Sequence, residues 1–494
     1  MAAQDVSDVE PSTDDSFITS RIDLVPVDGD ILEWKGQQYP GRMEIKARAG
    51  GLVMISELEP ENYLVGIREV PAEWPLESLK AQAVAARTYL AWTLSRGRAG
   101  SGATYGFDIC ATTACQVYLG GGDPRWAEAV SETSGEILMY DGAPAQALYS
   151  STTGGRTRNV GDVFKSSADL PYLRAVDSAD EVSPFVEWSY GIPIEQFTEI
   201  LQHAGLSGEV LFDVSVEVSP DGEGPSTVEV LSSAGLRATD TWNFRNVMNR
   251  WAERLFPEDF PALRPDGRRY PQVVLSPTFE IEQRVVIEHG SFDRPPNRAE
   301  FVITGNGWGH LVGMSQFGAK ARADAGDTYR EILAHYYGGL APSEFDFPDL
   351  ISVGLGWKLD EIEVVSGVVD VYLDGQLAAS GIEGPWRMEP VGERVKVSPP
   401  PGWDVPAELA DMAVDVRSGE GIITVAGFVA QPGEARVVVY RGDKVVFVTH
   451  WTTVDRGPVR LYWPVDRTGS LRVVGQIRYP DGSSGTFNSV LSAS

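Results

Sequence analysis

A side chain that protonates a leaving oxygen must hold its own proton near neutral pH, so a candidate general acid is a carboxylate whose surroundings disfavour ionisation. Glu69 fits that description. It follows the apolar-patterned stretch Tyr63-Leu64-Val65-Gly66-Ile67, and Val70-Pro71 must break any helix there, because the residue before a proline is pushed to extended backbone. A carboxylate at a helix C-terminus faces the negative end of the macrodipole, which raises its pKa. Lys80, Gln82 and Arg87 stand on an Ala-rich segment where polar groups can reach the hydroxyls or amide carbonyls of a ligand. The plainer alternative pairs Lys80 with Glu77 and Arg87 with another carboxylate. The run Ser151-Thr152-Thr153-Gly154-Gly155 offers hydroxyls and backbone donors, or is simply a turn. His310 lies among Gly305, Gly307, Gly309 and Gly313, with Gln316 close behind, and glycines allow close backbone approach to a ligand or to another strand. His310 is either a ligand contact or a stabiliser of the fold; His203 and His289 read as ordinary structural or surface histidines.

The elements that must carry these groups are legible in outline. Pro60 suits a first helical position, with Tyr63, Leu64 and Ile67 on one face and a stop near Arg68 or Glu69. A second helix opens at Pro75 and runs to Gly97, with the stripe Leu79, Ala83, Ala86, Leu90 and Leu94 and with Lys80 and Arg87 on another side. Short apolar alternations from Ile31 to Leu58 predict a small antiparallel sheet, and strands resume at 137–147 and 210–231 before a helix at 238–255. After Gly338-Gly339 the helical signal disappears. From Ile351 to Ser494 strands alternate with turns, which predicts one or two β-sandwich modules. The expected architecture is α+β: an acidic arm without fixed structure at 1–30, a cleft-forming catalytic domain at 31–345, a small β module at 351–400, and an Ig-like β-sandwich at 405–494. The Pro-rich 398–402 segment is the internal boundary.

The 494 residues exceed one ordinary core, and a 43% hydrophobic content suffices to build several. A formal charge of -29, from 70 acidic against 41 basic side chains, excludes nucleic acid and anionic lipid as partners, since phosphate needs a basic face. No apolar run approaches the roughly 20 residues of a membrane-spanning helix. Residues 1–17 lack the basic-then-apolar pattern of a signal peptide, so either the chain is cytoplasmic or a signal has been removed. Only Cys110 and Cys115 occur, and their count leaves the compartment open.

Three segments, in order, resemble signatures of the stage II sporulation protein D family. They are Tyr63 to Pro71 leading into Trp74-Pro75 and Leu79 to Tyr89, then Tyr149 to Thr157, then Gly305 to Ala319. Tyr329 to Gly338 resembles the family's end, so the likeness runs from about Tyr39 to Leu340. It implies a lytic transglycosylase, or an enhancer of a partner amidase, working on peptidoglycan. It places the catalytic acid on Glu69, and this motif rather than spacing sets Glu69 apart from other glutamates. Glycan contacts are then expected from Trp74, Lys80, Gln82, Arg87, Ser151, Gly154, Gly155, His310 and Gln316. Lytic cleavage needs one carboxyl group, because the muramic C6 hydroxyl attacks C1 and leaves a 1,6-anhydro sugar, whereas hydrolysing glycosidases need two. No cofactor is expected. Partners are peptidoglycan glycan strands and an N-acetylmuramoyl-L-alanine amidase; the location is extracellular or at a bacterial cell wall. Some relatives bind zinc through a Cys-His cluster near Cys110, but Ala114 stands where the histidine would be, and two thiolates fall short of four ligands, so no metal is expected. The cysteines form a short-loop disulfide or remain free. Trp386, Trp403, Trp451 and Trp463 serve as sugar platforms or, more commonly for sandwiches, as core.

Overall fold

The computed structural model describes residues 16–27, 29–164, 170–218, 226–287, 297–400 and a set of strands between 415 and 491. It is an α+β structure of two compact units. The first takes residues 1–68, 97–122 and 348–494; the second takes 69–96 and 123–347.

In the first unit the strands Arg42–Arg48 and Gly51–Leu58 pair antiparallel at the middle of a mixed sheet. Gly51–Leu58 is buried on both faces, which is why its sequence is a nearly unbroken apolar run rather than an alternation. Arg42–Arg48 also pairs with Arg21–Pro26, and that strand with Ile362–Leu373. Gly51–Leu58 pairs on its other side with Ile351–Leu359, to which Ile109–Cys110 adds in parallel. Cys110 and Cys115 are joined by a disulfide beside Val53, Ile55, Tyr105 and Phe107.

Two sequence expectations are corrected by this sheet. The arm foreseen at 1–30 contains strands, Phe17–Thr19 and Arg21–Pro26, with Ile22 and Leu24 wholly buried; residues 1–15 lie outside the described part. The stretch 351–398 is not a separate module, because its strands supply the hydrogen-bond partners and apolar neighbours of strands between 21 and 58. Loss of helical periodicity after Gly339 does mark a change of unit, since the second unit ends at Phe347. Pairing between strands so distant in sequence leaves no local trace. Farther on, the described strands form two antiparallel sheets, one containing Asp415–Gly419, Ile422–Val429 and Gly457–Pro464, the other centred on Gly433–Arg441 and Leu471–Arg478. Trp386 is core, wholly buried with its Nε1 donating to Ser366 Oγ at 3.2 Å. Trp451 lies within 4.5 Å of the Arg436 guanidinium and 4.4 Å of that of Arg478. Trp403 lies outside the described residues.

The second unit is organised on the Leu76–Ser95 helix. Small residues let neighbours approach on nearly every side: Ala81, Ala83, Val84, Ala85 and Ala86 are all fully buried. The helices Pro124–Glu132, Gln316–Asp324 and Tyr329–Tyr336 and the strand Glu136–Tyr140 pack around it. A second core joins the strands Glu187–Pro193, Asn297–Asn306 and Phe279–Ile287 to the helices Ile194–His203 and Thr241–Leu255 through Phe197, Ile200, Phe244, Met248 and Phe301. In the core around the Leu76–Ser95 helix, Tyr149–Ser150 pairs in parallel with Met314–Ser315. Backbone bonds from Thr157 N–H to Val176 O and from Ser178 N–H to Gly155 O bring Asp180 beneath the 152–155 turn.

Asp180 is fully buried and accepts five hydrogen bonds. Oδ2 takes the hydroxyls of Thr152, Thr153 and Ser315, each at 2.9 Å, and the Thr153 N–H at 2.5 Å. Oδ1 takes the Gly155 N–H at 2.7 Å. Charge-assisted bonds of this kind are about twice as strong as neutral ones.

Two outcomes follow from this architecture. Asp180→Asn must turn an amide NH2 towards a backbone N–H, whichever way it is flipped, and should cost on the order of 3 kcal/mol in urea unfolding; a change below about 1 kcal/mol would contradict the role given to the carboxylate. A chain ending at Ser343 loses the apolar partners Val353, Val364, Val371 and Trp386. At about 1.5–3 kcal/mol for each such side chain, that loss rivals the whole stability of a domain, about 5–15 kcal/mol. The shortened chain should therefore show protease-sensitive 17–58 strands, and a protected, cooperatively melting N-terminal sheet would overturn the pairing.

Candidate functional site

The short helix before Glu69 opens with Pro60 at its first position and ends at Gly66. A Cβ on Gly66 would stand 2.2 Å from Tyr118 Cε2, so the close approach itself demands glycine. Arg68 N–H then donates to Val117 O at 2.9 Å, outside any helix. The helix thus closes at Val65, a few residues before the end near Arg68 or Glu69 that the sequence suggested. Glu69 instead stands, partly buried, on irregular backbone between two helices. Trp74 ends that segment in a turn closed by its N–H to Pro71 O at 3.3 Å.

Several motif residues do converge. Trp74 packs against Phe317 with ring centroids 4.9 Å apart, and Phe317 N–H donates to Ser151 O at 3.0 Å. Next to Phe317, Gln316 Nε2 reaches Gln82 Oε1 at 3.4 Å. Gln82 is 1% exposed, and its Nε2 has no hydrogen-bond partner among the described residues. A buried amide donor left so costs about 1–3 kcal/mol, the kind of cost tolerated where a ligand carbonyl or a water completes the bond. Trp74, Gln82, Ser151 and Gln316 therefore meet at one junction, but Trp74 is only 8% exposed and acts there as packing more than as a platform.

Other expected contacts turn inward. Lys80 Nζ sits 2.9 Å from Glu77 Oε1 and 2.7 Å from Glu132 Oε2, which hold its pKa above the ordinary value. Arg87 has no exposed surface; it donates to Val130 O at 3.0 Å and to Thr133 Oγ1 at 3.3 Å. Neither reaches outward as foreseen for a glycan contact; the ion-pair alternative holds for Lys80, and the partners of Arg87 include backbone and hydroxyl oxygens. The Thr152 and Thr153 hydroxyls and the Gly155 N–H are likewise consumed by Asp180, leaving Ser151, Gly154 and Gly155 partly accessible through other atoms.

His310 takes the Val312 N–H on Nδ1 at 3.0 Å, with Ser150 Oγ at 3.1 Å from the same nitrogen. Phe164 stands edge-on at 5.5 Å. Burial and the nearby Arg245 guanidinium push its pKa down to about 4, so the ring is neutral at neutral pH. Its glycine neighbours serve strand approach: a Cβ on Gly313, at φ 73°, would lie 2.0 Å from Leu148 O. The structural role of this motif is thereby evident. Asp180 and Ser150 were not foreseen; Asp180 sits in Ser178-Ala179-Asp180-Glu181, which reads like any acidic loop.

The family profile described as stage II sporulation protein matches residues 48–140. The chain is 30% identical over 301 residues to the amidase enhancer of Bacillus subtilis, covering 55% of this chain and 38% of that protein. It thus spans well under half of that relative's length. It is 27% identical over 309 residues to an uncharacterised protein of Brachyspira hyodysenteriae, covering 62% and 72%. It is 28% identical over 307 residues to the stage II sporulation protein D of Bacillus amyloliquefaciens, covering 59% and 76%. The profile falls on the Glu69 segment and the Leu76–Ser95 helix, so this part of the chain matches the stage II sporulation protein family, and the chain is similar to proteins named stage II sporulation protein D and amidase enhancer.

Proposed function

We propose that this protein works at the bacterial cell wall and cleaves peptidoglycan glycan strands lytically, between N-acetylmuramic acid and N-acetylglucosamine, on strands stripped of stem peptides. The observation that carries the reading is the placement of Glu69: a partly buried acid within the matched segment, on irregular backbone leading into the junction of Trp74, Gln82, Ser151 and Gln316. One carboxyl group completes the reaction. Glu69 gives its proton to the glycosidic oxygen as the bond to C1 breaks. The C6 hydroxyl of the same muramic ring closes on C1, and the Glu69 carboxylate takes the hydroxyl proton. Acid and base are regenerated together, and no water is consumed. The Gln82 and Gln316 amides suit the acetamido groups of the strand. The Cys110–Cys115 disulfide favours a compartment outside the reducing cytoplasm.

A second reading has its own support, since one relative is named for enhancing an amidase and Lys80 and Arg87 are engaged internally. In it the same junction holds glycan for a partner N-acetylmuramoyl-L-alanine amidase without breaking a bond. Glu69→Gln separates the two by keeping shape while removing the titrating proton. Cleavage of peptide-free strands should fall by a factor on the order of a hundred or more. A rate near that of the parent chain overturns the assignment of the acid; a parent chain that only stimulates an added amidase favours the second reading.

A further inference from the structure

A partly open cleft of about 320 Å³ lies within the second unit and is lined by none of the residues assigned above. Its walls carry Arg158, Asp162, Asp240, Trp242, Glu280 and Asn306. Most are held in place. Asp240 caps the Thr241–Leu255 helix, accepting the Asn243 N–H at 2.8 Å, and Asp162 accepts from Asn159 Nδ2 at 2.8 Å. Arg158 Nη2 donates to Thr278 Oγ1 at 3.4 Å, and Asn306 Nδ2 to Val186 O at 3.3 Å. Trp242 is set edge-on against Phe164 at 5.4 Å, the same ring that stands edge-on to His310. The cleft is therefore framed by ends of two of the motif segments, after Gly155 and around Asn306, for which the chemistry at Glu69 has no use.

A partly exposed indole beside hydroxyl, amide, carboxylate and guanidinium groups is lining suited to a sugar ring, whose C–H face covers the aromatic while its hydroxyls meet the polar groups. The volume lies at the small end of the roughly 300–1,000 Å³ of ligand clefts, enough for a ring or two and not for a long strand. Among the lining side chains one guanidinium stands against three carboxylates, so a ligand carboxylate is repelled. We propose that this cleft is a sugar subsite that takes the uncharged N-acetylglucosamine ring in preference to the carboxylate-bearing muramic ring. The glycan nature of the ligand rests on the reading given above; the charge preference does not.

Calorimetric titration of the full chain with two disaccharides tests it, one of N-acetylglucosamine alone and one in which a ring is N-acetylmuramic acid. The first should bind at least about tenfold more tightly. Glu280 is exposed, so Glu280→Lys can be made without disturbing a core, and it should abolish or reverse that preference. Trp242→Leu should weaken both sugars by about tenfold. Equal affinities in the parent chain, or a preference unmoved by Glu280→Lys, overturn the assignment. Cleavage by the Glu69→Gln chain, measured in parallel, reports on the acid alone, so the two ideas fail separately.

Discussion

A carboxylate sealed from water must be compensated where it stands, because desolvation of an unpaired charge costs several kcal/mol or drives the group to protonate. Asp180 is compensated by hydroxyls and backbone N–H groups, with no cation among its hydrogen-bond partners in the described residues. That choice has consequences for geometry. Donors from Thr152, Thr153 and Gly155 fix the turn that carries Ser151, and the Ser315 hydroxyl fixes the start of the helix that carries Gln316 and Phe317. Phe317 then meets Trp74, five residues beyond Glu69. The position of the junction is set from behind, by a fully buried group.

This separates motif residues that build the frame from those the proposal sets against ligand. Arg87, Lys80, Thr152, Thr153 and the backbone around Gly313 are spent on internal contacts. The proposal sets Glu69, Gln82, Ser151 and Gln316 against the ligand. The division also explains why a helix so rich in alanine runs through the middle of the unit: with helices on several sides, only small side chains permit the approach that buries Gln82 beside Gln316. In the proposed reaction the substrate supplies its own nucleophile, so a single acid suffices.

Local patterns were readable wherever a local cause acts. Pro60, Pro75 and the Ala-rich stripe predicted the two helices, observed as Pro60–Val65 and Leu76–Ser95. The helix expected at 238–255 begins at Thr241 because Gly235–Asp240 is still a strand paired to Thr227–Ser232. What escaped was set at long range. Nothing near Ile351 announces that it will lie against Leu58, and nothing near Asp180 marks it as an acceptor for a turn some thirty residues earlier. The helix before Glu69 also ends a few residues sooner than the Val-Pro break requires, and Arg68 N–H turns to Val117 O, a partner far along the chain.

The central claim is that this junction makes and breaks bonds without water. Mass spectrometry of the products from purified peptide-free glycan strands tests it most directly. The account predicts fragments ending in 1,6-anhydro-N-acetylmuramic acid, with no mass gained from solvent. Fragments with ordinary reducing ends would mean a hydrolytic route that needs a second catalytic group, and intact strands would contradict catalysis by this chain.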